Sequence, residues 1–257
     1  MKLTICGNNG AVPRPGGACS GYLVQEEDSR LLLDCGNGAF SQLTRHLDPF
    51  ALDAVIITHL HADHFFDLVP MRYALLLTFG RRRPTKLPLW LPNGCAQVLE
   101  GFAASFGGVA PYFGEVFELQ EYNPGDVVRV GALTVNIVEM KHFIPSYGLR
   151  LTGNGTLAYS GDTGYCDTVV ALAAGADTFL CEATQQEATY ARSRAGHLSA
   201  IDAGRVATQA GVRRLLLTHI WYQLDPRRSL EETRTSYAGD LALAVEGETY
   251  EVGPARA

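Results

Sequence analysis

Four metal-ligand side chains, His59, His61, Asp63 and His64, fall within the six residues HLHADH of a chain with only seven histidines. The preceding run DAVIIT reads as a strand, and residues i and i+2 of a strand share a face. His59 and His61 would then point together at one divalent ion, at ~2.0–2.1 Å. Ala62 is small enough for the chain to turn, which aims Asp63 and His64 at a second point nearby. The plain alternative, a solvated loop that happens to be rich in histidine, explains neither the density nor the position at a strand end.

A two-ion site needs further ligands, and three candidates stand where apolar strands give way to glycine or polar residues. His142 follows LTVNIVEM, Asp162 follows TLAYSG in SGDTG, and His219 follows RRLLLT in LTHIW. Each is weak alone, because a lone histidine is more often structural and SGDTG can be a plain turn. The inventory argues for them together: only His46, in a polar helical stretch, lacks a strand-end or loop context suited to chemistry.

The elements that must carry these residues alternate in a readable way. Short strands separated by glycine-rich turns are expected at LTIC, GYLVQ and RLLLD. A short helix, AFSQLTRHL, precedes the strand DAVIIT, and FFDLVPMRYALLLTF has helical spacing with Pro70 early enough to be tolerated. The second half repeats the rhythm, with strands at LTVNIVEM, YGLRLT, TLAYSGD, DTFLCEA and RRLLLTH. Helices follow at CDTVVALAAG and SAIDAGRVATQAG, the latter with Ser199 as N-cap, Asp202 as its capping-box partner and Gly211 at the end. Meanders followed by helices in each half predict two packed sheets with helices outside, as one α/β domain over residues 1–257.

Composition narrows the classes. With 257 residues, 47% apolar and 19% charged, the chain can bury a sizeable core. A net charge of −6 argues against a broad basic face that grips nucleic acid. The start MKLTICGNNG has too short an apolar core for a signal peptide, and no apolar run approaches the ~20 residues of a membrane span. The six cysteines form no CxxC pair, so reduced thiols, a cytoplasmic location and no membrane partner are the expectation.

HLHADH matches the HxHxDH signature of the metallo-β-lactamase superfamily. GNNGAVPRPGGACSGYL, LLLDCGNG, HFIPSYGLRL, SGDT, CEAT and GHLS resemble, in order, the motifs of its ribonuclease Z-like branch over residues 3–222. That resemblance implies a four-layer αββα sandwich with the site at the sheet edges. It implies one metal on His59, His61 and His142, a second on Asp63, His64 and His219, and Asp162 bridging the two. Two Zn2+ would suit this nitrogen-rich set, with Mn2+ as the alternative. The reaction implied is hydrolysis by a hydroxide bridging the ions, with Asp63 orienting it. Asp34, ending LLLD, is either a strand-end cap or a residue that holds the HxHxDH turn. By match of position, His197 becomes the general acid and Glu182 its orienting partner; the alternative is a structural contact holding the 185–198 loop. Ser146 and Tyr147 are candidate phosphate contacts, although Tyr147 can equally pack inward. Ser199 is first a helix cap and second a substrate ligand.

The chain departs from the branch in one respect. Members that trim tRNA carry a long glycine- and proline-rich arm between the third histidine motif and the bridging aspartate, whereas here His142 and Asp162 leave space for two strands and a turn. The one basic run, RRRPTK at 81–86, reads as a solvated helix end before a nucleic-acid patch. The resemblance therefore points to a phosphodiesterase on small or cyclic, nucleotide-type phosphodiesters. The alternatives are tRNA 3′-end processing and thioester or lactone hydrolysis. A homodimer is common in the family, and the FFDLVPMRYALLLTF helix could supply its interface, with core packing the simpler role.

Overall fold

The computed structural model describes residues 1–187 and 196–253, so most of the 185–198 loop lies outside the described residues. The first half forms β1 (Lys2–Gly7), β2 (Asn9–Gly10), β3 (Gly21–Glu26), β4 (Ser29–Leu33), α1 (Ala39–Leu43), β5 (Ala54–Ile56), α2 (Ala62–Phe65), α3 (Leu68–Leu77), β6 (Leu87–Pro92), α4 (Cys95–Ala104) and β7 (Phe117–Tyr122). The second half forms β8 (Val127–Val130), β9 (Leu133–Met140), β10 (Ser146–Thr152), β11 (Thr156–Tyr159), α5 (Asp167–Ala173), β12 (Thr178–Glu182), α6 (Ala200–Ala210), β13 (Arg214–Thr218), β14 (Ile220–Trp221), α7 (Pro226–Arg234), β15 (Asp240–Leu243) and β16 (Thr249–Glu251).

Two seven-stranded sheets result, ordered β16-β1-β3-β4-β5-β6-β7 and β15-β13-β12-β11-β10-β9-β8. Side-chain alternation explains why they stack. In β4, Leu31 and Leu33 face the second sheet while Leu32 faces α1 and α3; in β12, Leu180 faces inward while Phe179 and Cys181 face α5 and α6. Strands buried on both sides need both faces apolar, as LLL and TFLC are. The result is helix, sheet, sheet, helix: the expected αββα sandwich.

Several local expectations change. The helix expected over FFDLVPMRYALLLTF breaks at Asp67, whose Oδ2 accepts from Phe40 N at 3.0 Å while its own N–H donates to Cys35 O. Pro70 then falls in the first turn of α3, where no backbone donor is lost. α3 buries Leu68, Met71 and Leu75 against the sheet, the core role, and leaves Tyr73 and Leu77 exposed. The basic run is engaged locally: Arg81 pairs with Asp48 and stacks on Phe50, Arg83 donates to Phe50 O, and Lys86 donates to Gly114 O. β10 and β11 form a hairpin from Leu149↔Tyr159 to Thr152↔Thr156, which leaves no chain for an arm. No described helix is long and apolar enough to cross a membrane, and all six cysteines are free thiols.

Topology decides where chemistry can occur. β4 and β5 run parallel in one sheet, and β11, β12 and β13 run parallel in the other. Their carboxyl ends release Asp34, the HLHADH turn, Asp162, Glu182 and His219 along one edge, where parallel strands open toward ligands.

Candidate metal and catalytic site

The HLHADH turn is not the strand extension expected of it. β5 ends at Ile56, and Thr58–His61 is irregular, with His61 capping the one-turn helix α2 that carries Asp63 and His64. The fully buried Asp34 holds this shape. It accepts from Thr58 N at 2.7 Å, from Thr58 Oγ1 at 2.9 Å, from His64 Nδ1 at 2.8 Å and from Tyr159 OH at 2.7 Å. The two roles foreseen for Asp34, capping the strand end and orienting the turn, are thus one network. With a φ of 55°, Asp34 is one of four left-handed non-glycine residues among the described residues, and Ala11 and His219 also stand beside the site.

All seven expected ligands meet. His61 Nδ1 lies 3.1 Å from both His59 Nε2 and His142 Nε2. Asp162 Oδ2 lies 3.6 Å from His59 Nε2 and 3.9 Å from His142 Nε2. On the other side, His219 Nε2 lies 3.2 Å from His64 Nε2 and 3.1 Å from Asp63 Oδ2. Asp162 Oδ1 stands 3.4 Å from both His64 Nε2 and His219 Nε2, buried and without a hydrogen-bond partner. The aspartate therefore gives one oxygen to each group.

This arrangement fits a pair of divalent ions. Ligand atoms around a tetrahedral ion at ~2.1 Å are about 3.4 Å apart, the spacing seen here. Ring nitrogens facing one another need a shared cation or a shared proton, and a buried carboxylate oxygen with no donor needs a positive partner. The far nitrogens are tied down. His59 Nδ1 meets Thr58 Oγ1 at 3.1 Å, His142 Nδ1 meets Gly196 O at 2.6 Å, and His219 Nδ1 meets Thr184 Oγ1 at 2.8 Å. With His64 on Asp34, four rings are thereby oriented toward the cluster.

The charges reinforce one another. Burial opposes ionisation of Asp63 and Asp162, yet the neighbouring His64 and His219 hold both carboxyls well below the usual range. Burial also opposes a charge on His64, but Asp162, Asp34 and Asp63 outweigh it and raise its pKa well above the ordinary value. Burial and the adjacent His64 keep His59 neutral.

Beside the cluster, β12 delivers Glu182, fully buried. Thr163 N donates to its Oε1 at 2.6 Å, and Thr184 Oγ1 and Leu198 N donate to its Oε2 at 2.6 and 3.2 Å. His197 Nδ1 lies 3.1 Å from Oε1, and its ring stacks on His219 at 5.7 Å. Burial works against a proton on His197, but Glu182 prevails and pushes its pKa up to about 9.

The three candidate substrate contacts are all buried, and Tyr147 and Ser199 take the structural roles that were their alternatives. Ser146 is sealed in, its hydroxyl donating to Asp162 O at 3.0 Å, because β10 passes directly under the SGDTG turn. Tyr147 packs edge-on against Tyr122 between the sheets. Ser199 is buried as the α6 N-cap, accepting from Asp202 N at 3.1 Å and donating to Asp202 Oδ2 at 2.9 Å. Two contributors were missed. Thr184, the last letter of CEAT, joins Glu182 to His219. Ala11 N donates to Asp63 Oδ2 at 2.6 Å because β14 pairs with β2 and draws the N-terminal loop to the His219 segment. The motif could have pointed to Thr184; nothing in the sequence points to Ala11.

Comparison with known proteins identifies relatives over almost the whole chain. An uncharacterized protein of Mycobacterium leprae is 37% identical over 261 residues, covering 98% of this chain and 89% of the relative. The probable metallo-hydrolase YhfI of Bacillus subtilis is 29% identical over 258 residues, covering 98% of this chain and all of the relative. Its crystal structure superposes with a TM-score of 0.85 at 27% identity, over 97% of this chain and 99% of that one. Ribonuclease Z of Myxococcus xanthus is 29% identical over 306 residues, with 98% of each chain covered. The β-lactamase superfamily domain model matches residues 29–220, and the chain belongs to that family, as a hydrolase of the metallo-β-lactamase type built to use a divalent metal.

Proposed function

We propose that the protein is a dinuclear metal-dependent phosphodiesterase acting on small or cyclic, nucleotide-type phosphodiesters. The observation that carries this reading is the Glu182–His197 pair beside the seven-ligand cluster, since a protonated imidazole matters when the leaving group is a poor one such as an alkoxide. Thioester hydrolysis gains little from such an acid, because a thiolate leaves unaided.

In this reading His59, His61 and His142 would hold one ion, Asp63, His64 and His219 the other, with Asp162 available to both. Zinc suits five imidazoles and two carboxylates best, with manganese as the alternative. Two such ions, when bound, supply an acidified water and neutralise the phosphodiester's negative charge. Asp63, fixed by Ala11 N, would accept a hydrogen bond from the attacking water and so orient it. His197 then gives its proton to the departing alkoxide, and the buried Glu182 carboxylate stabilises the protonated ring until that moment. Thr184 donates to Glu182 and accepts from His219, which keeps the acid and the metal side in register.

RNA 3′-end processing is the second reading, favoured by the identity to ribonuclease Z. The short β10–β11 hairpin and the locally paired basic run weigh against it. Turnover of bis(p-nitrophenyl) phosphate, 2′,3′-cyclic AMP and a precursor tRNA by zinc- and manganese-loaded protein separates the two. Cyclic nucleotide hydrolysis with negligible tRNA cleavage is expected; efficient tRNA trimming alone would reverse the ranking.

A further inference from the structure

Phe143 immediately follows His142 in the bend between β9 and β10, and its side chain is 59% exposed. The bend is held on both sides, by His142 Nδ1 on Gly196 O at 2.6 Å and by Ser146 Oγ on Asp162 O at 3.0 Å. It rests instead against His142, with centroids 5.1 Å apart, and against His197, at 5.9 Å. Gly196 makes this seat: a Cβ there would lie 2.5 Å from the Phe143 ring.

His219, His197 and Phe143 form a row of rings that leads outward from the ligand cluster. We propose that Phe143 is an aromatic subsite that stacks the base of a nucleotide whose phosphate lies on the cluster. This rests on the phosphodiesterase reading for one point only: a leaving group that takes its proton at His197 extends its carbon frame past that ring toward Phe143. A half-exposed aromatic ring seated against two imidazoles suits a flat heterocycle. A base stacked on an aromatic residue gains about tenfold or more in affinity.

Calorimetric titration of zinc-loaded protein with adenosine 5′-monophosphate and with ribose 5-phosphate tests the subsite without requiring turnover. Adenosine monophosphate should bind about tenfold tighter than the sugar phosphate. Phe143→Leu should bring that ratio toward one, and Phe143→Tyr should retain it. A ratio near one in the unaltered protein, or one that survives Phe143→Leu, overturns the proposal. Bis(p-nitrophenyl) phosphate turnover, measured on the same samples, separates the two claims. A base-dependent ratio without turnover removes the phosphodiesterase and leaves the subsite. Turnover with a ratio near one does the reverse.

Discussion

Asp34 Oδ2 accepts from His64 Nδ1 at 2.8 Å, a contact between the end of β4 and the middle of α2 with both groups fully buried. The carboxylate fixes which nitrogen His64 offers to the cluster and anchors Thr58, where the turn begins. Asp34→Asn keeps the shape but replaces one acceptor oxygen with a donor, which faces groups that must themselves donate. Metal affinity should fall by about 10–100-fold, the usual effect of losing such a partner, and chelator competition would measure it. Asp34→Ala should also destabilise the fold by about 3 kcal/mol, since it strands several buried donors.

Glu182 raises the pKa of His197, so the folded protein keeps the ring protonated to higher pH than a free histidine would be. Removing the negative charge lowers that pKa. In Glu182→Gln the alkaline limb of the kcat profile should move to lower pH, because the acid form is lost earlier as pH rises. Turnover of a cyclic nucleotide should drop by about 10²-fold or more, and that of an activated aryl diester by less. Equal losses on both substrates, with no movement of the limb, would contradict the assignment of His197 as acid.

Thr184 is predicted to act through its hydroxyl alone, by donating to Glu182 at 2.6 Å and accepting from His219 at 2.8 Å. Thr184→Ser retains both bonds and should retain metal affinity and rate. Thr184→Val fills the same space without a hydroxyl, leaves His219 Nδ1 without its acceptor and Glu182 Oε2 with one donor fewer, and should lower both. The split between these near-isosteric variants is the readout that simple packing would not produce.

Much of the site was legible because its ligands are chemically rare and sit where apolar strands end. LTVNIVEM, TLAYSG and RRLLLT each announce a strand, and the next ligand-type residue after each is part of the cluster. Other features depend on pairing between distant segments and leave no local mark. Ser146 and Tyr147 stand in a polar-looking motif, yet the start of β10 is covered on both faces, Ser146 by the SGDTG turn and Tyr147 by the facing sheet. Ala11 reaches Asp63 only because β14 pairs with β2. β6 was hidden by Pro88 and Pro92, which would break ladders in a central strand; the structure tolerates them by pairing β5 only with Leu89 and Trp90 between them. α7, PRRSLEETR, has hardly any apolar periodicity to read.

Removing the ions should cost stability as well as turnover. The cluster gathers five imidazoles and two carboxylates, and cations held by all of them would bind the folded chain far better than the unfolded one. Chelator-dialysed protein should melt several degrees lower than protein carrying about two ions per chain, and zinc salts should restore both ion content and melting temperature. His142→Ala should reduce the tightly held metal to about one ion, because Asp63, His64 and His219 remain intact. Metal analysis that finds both variant and parent at one ion or fewer would refute the two-ion site.

Gly36 lies directly beneath α2, and a Cβ there would stand 1.9 Å from the carbonyl oxygen of Asp63 and 2.6 Å from its carbonyl carbon. Backbone atoms cannot swing aside as a side-chain tip can. Cys35 N donates to His64 O at 2.6 Å and Asp67 N to Cys35 O at 2.9 Å, so the two segments are also bonded together at this point. Gly36→Ala must therefore push α2 away from the end of β4, carrying Asp63 and His64 out of line with His219. The expected outcome is weakened binding at the Asp63–His64–His219 ion, with the His59–His61–His142 ion less affected, and a melting temperature lowered by about 4–8 °C at a cost near 2–3 kcal/mol. Two-step metal titration followed by calorimetry would resolve the effect, and equal weakening of both ions would show that α2 does not move independently of the rest of the turn.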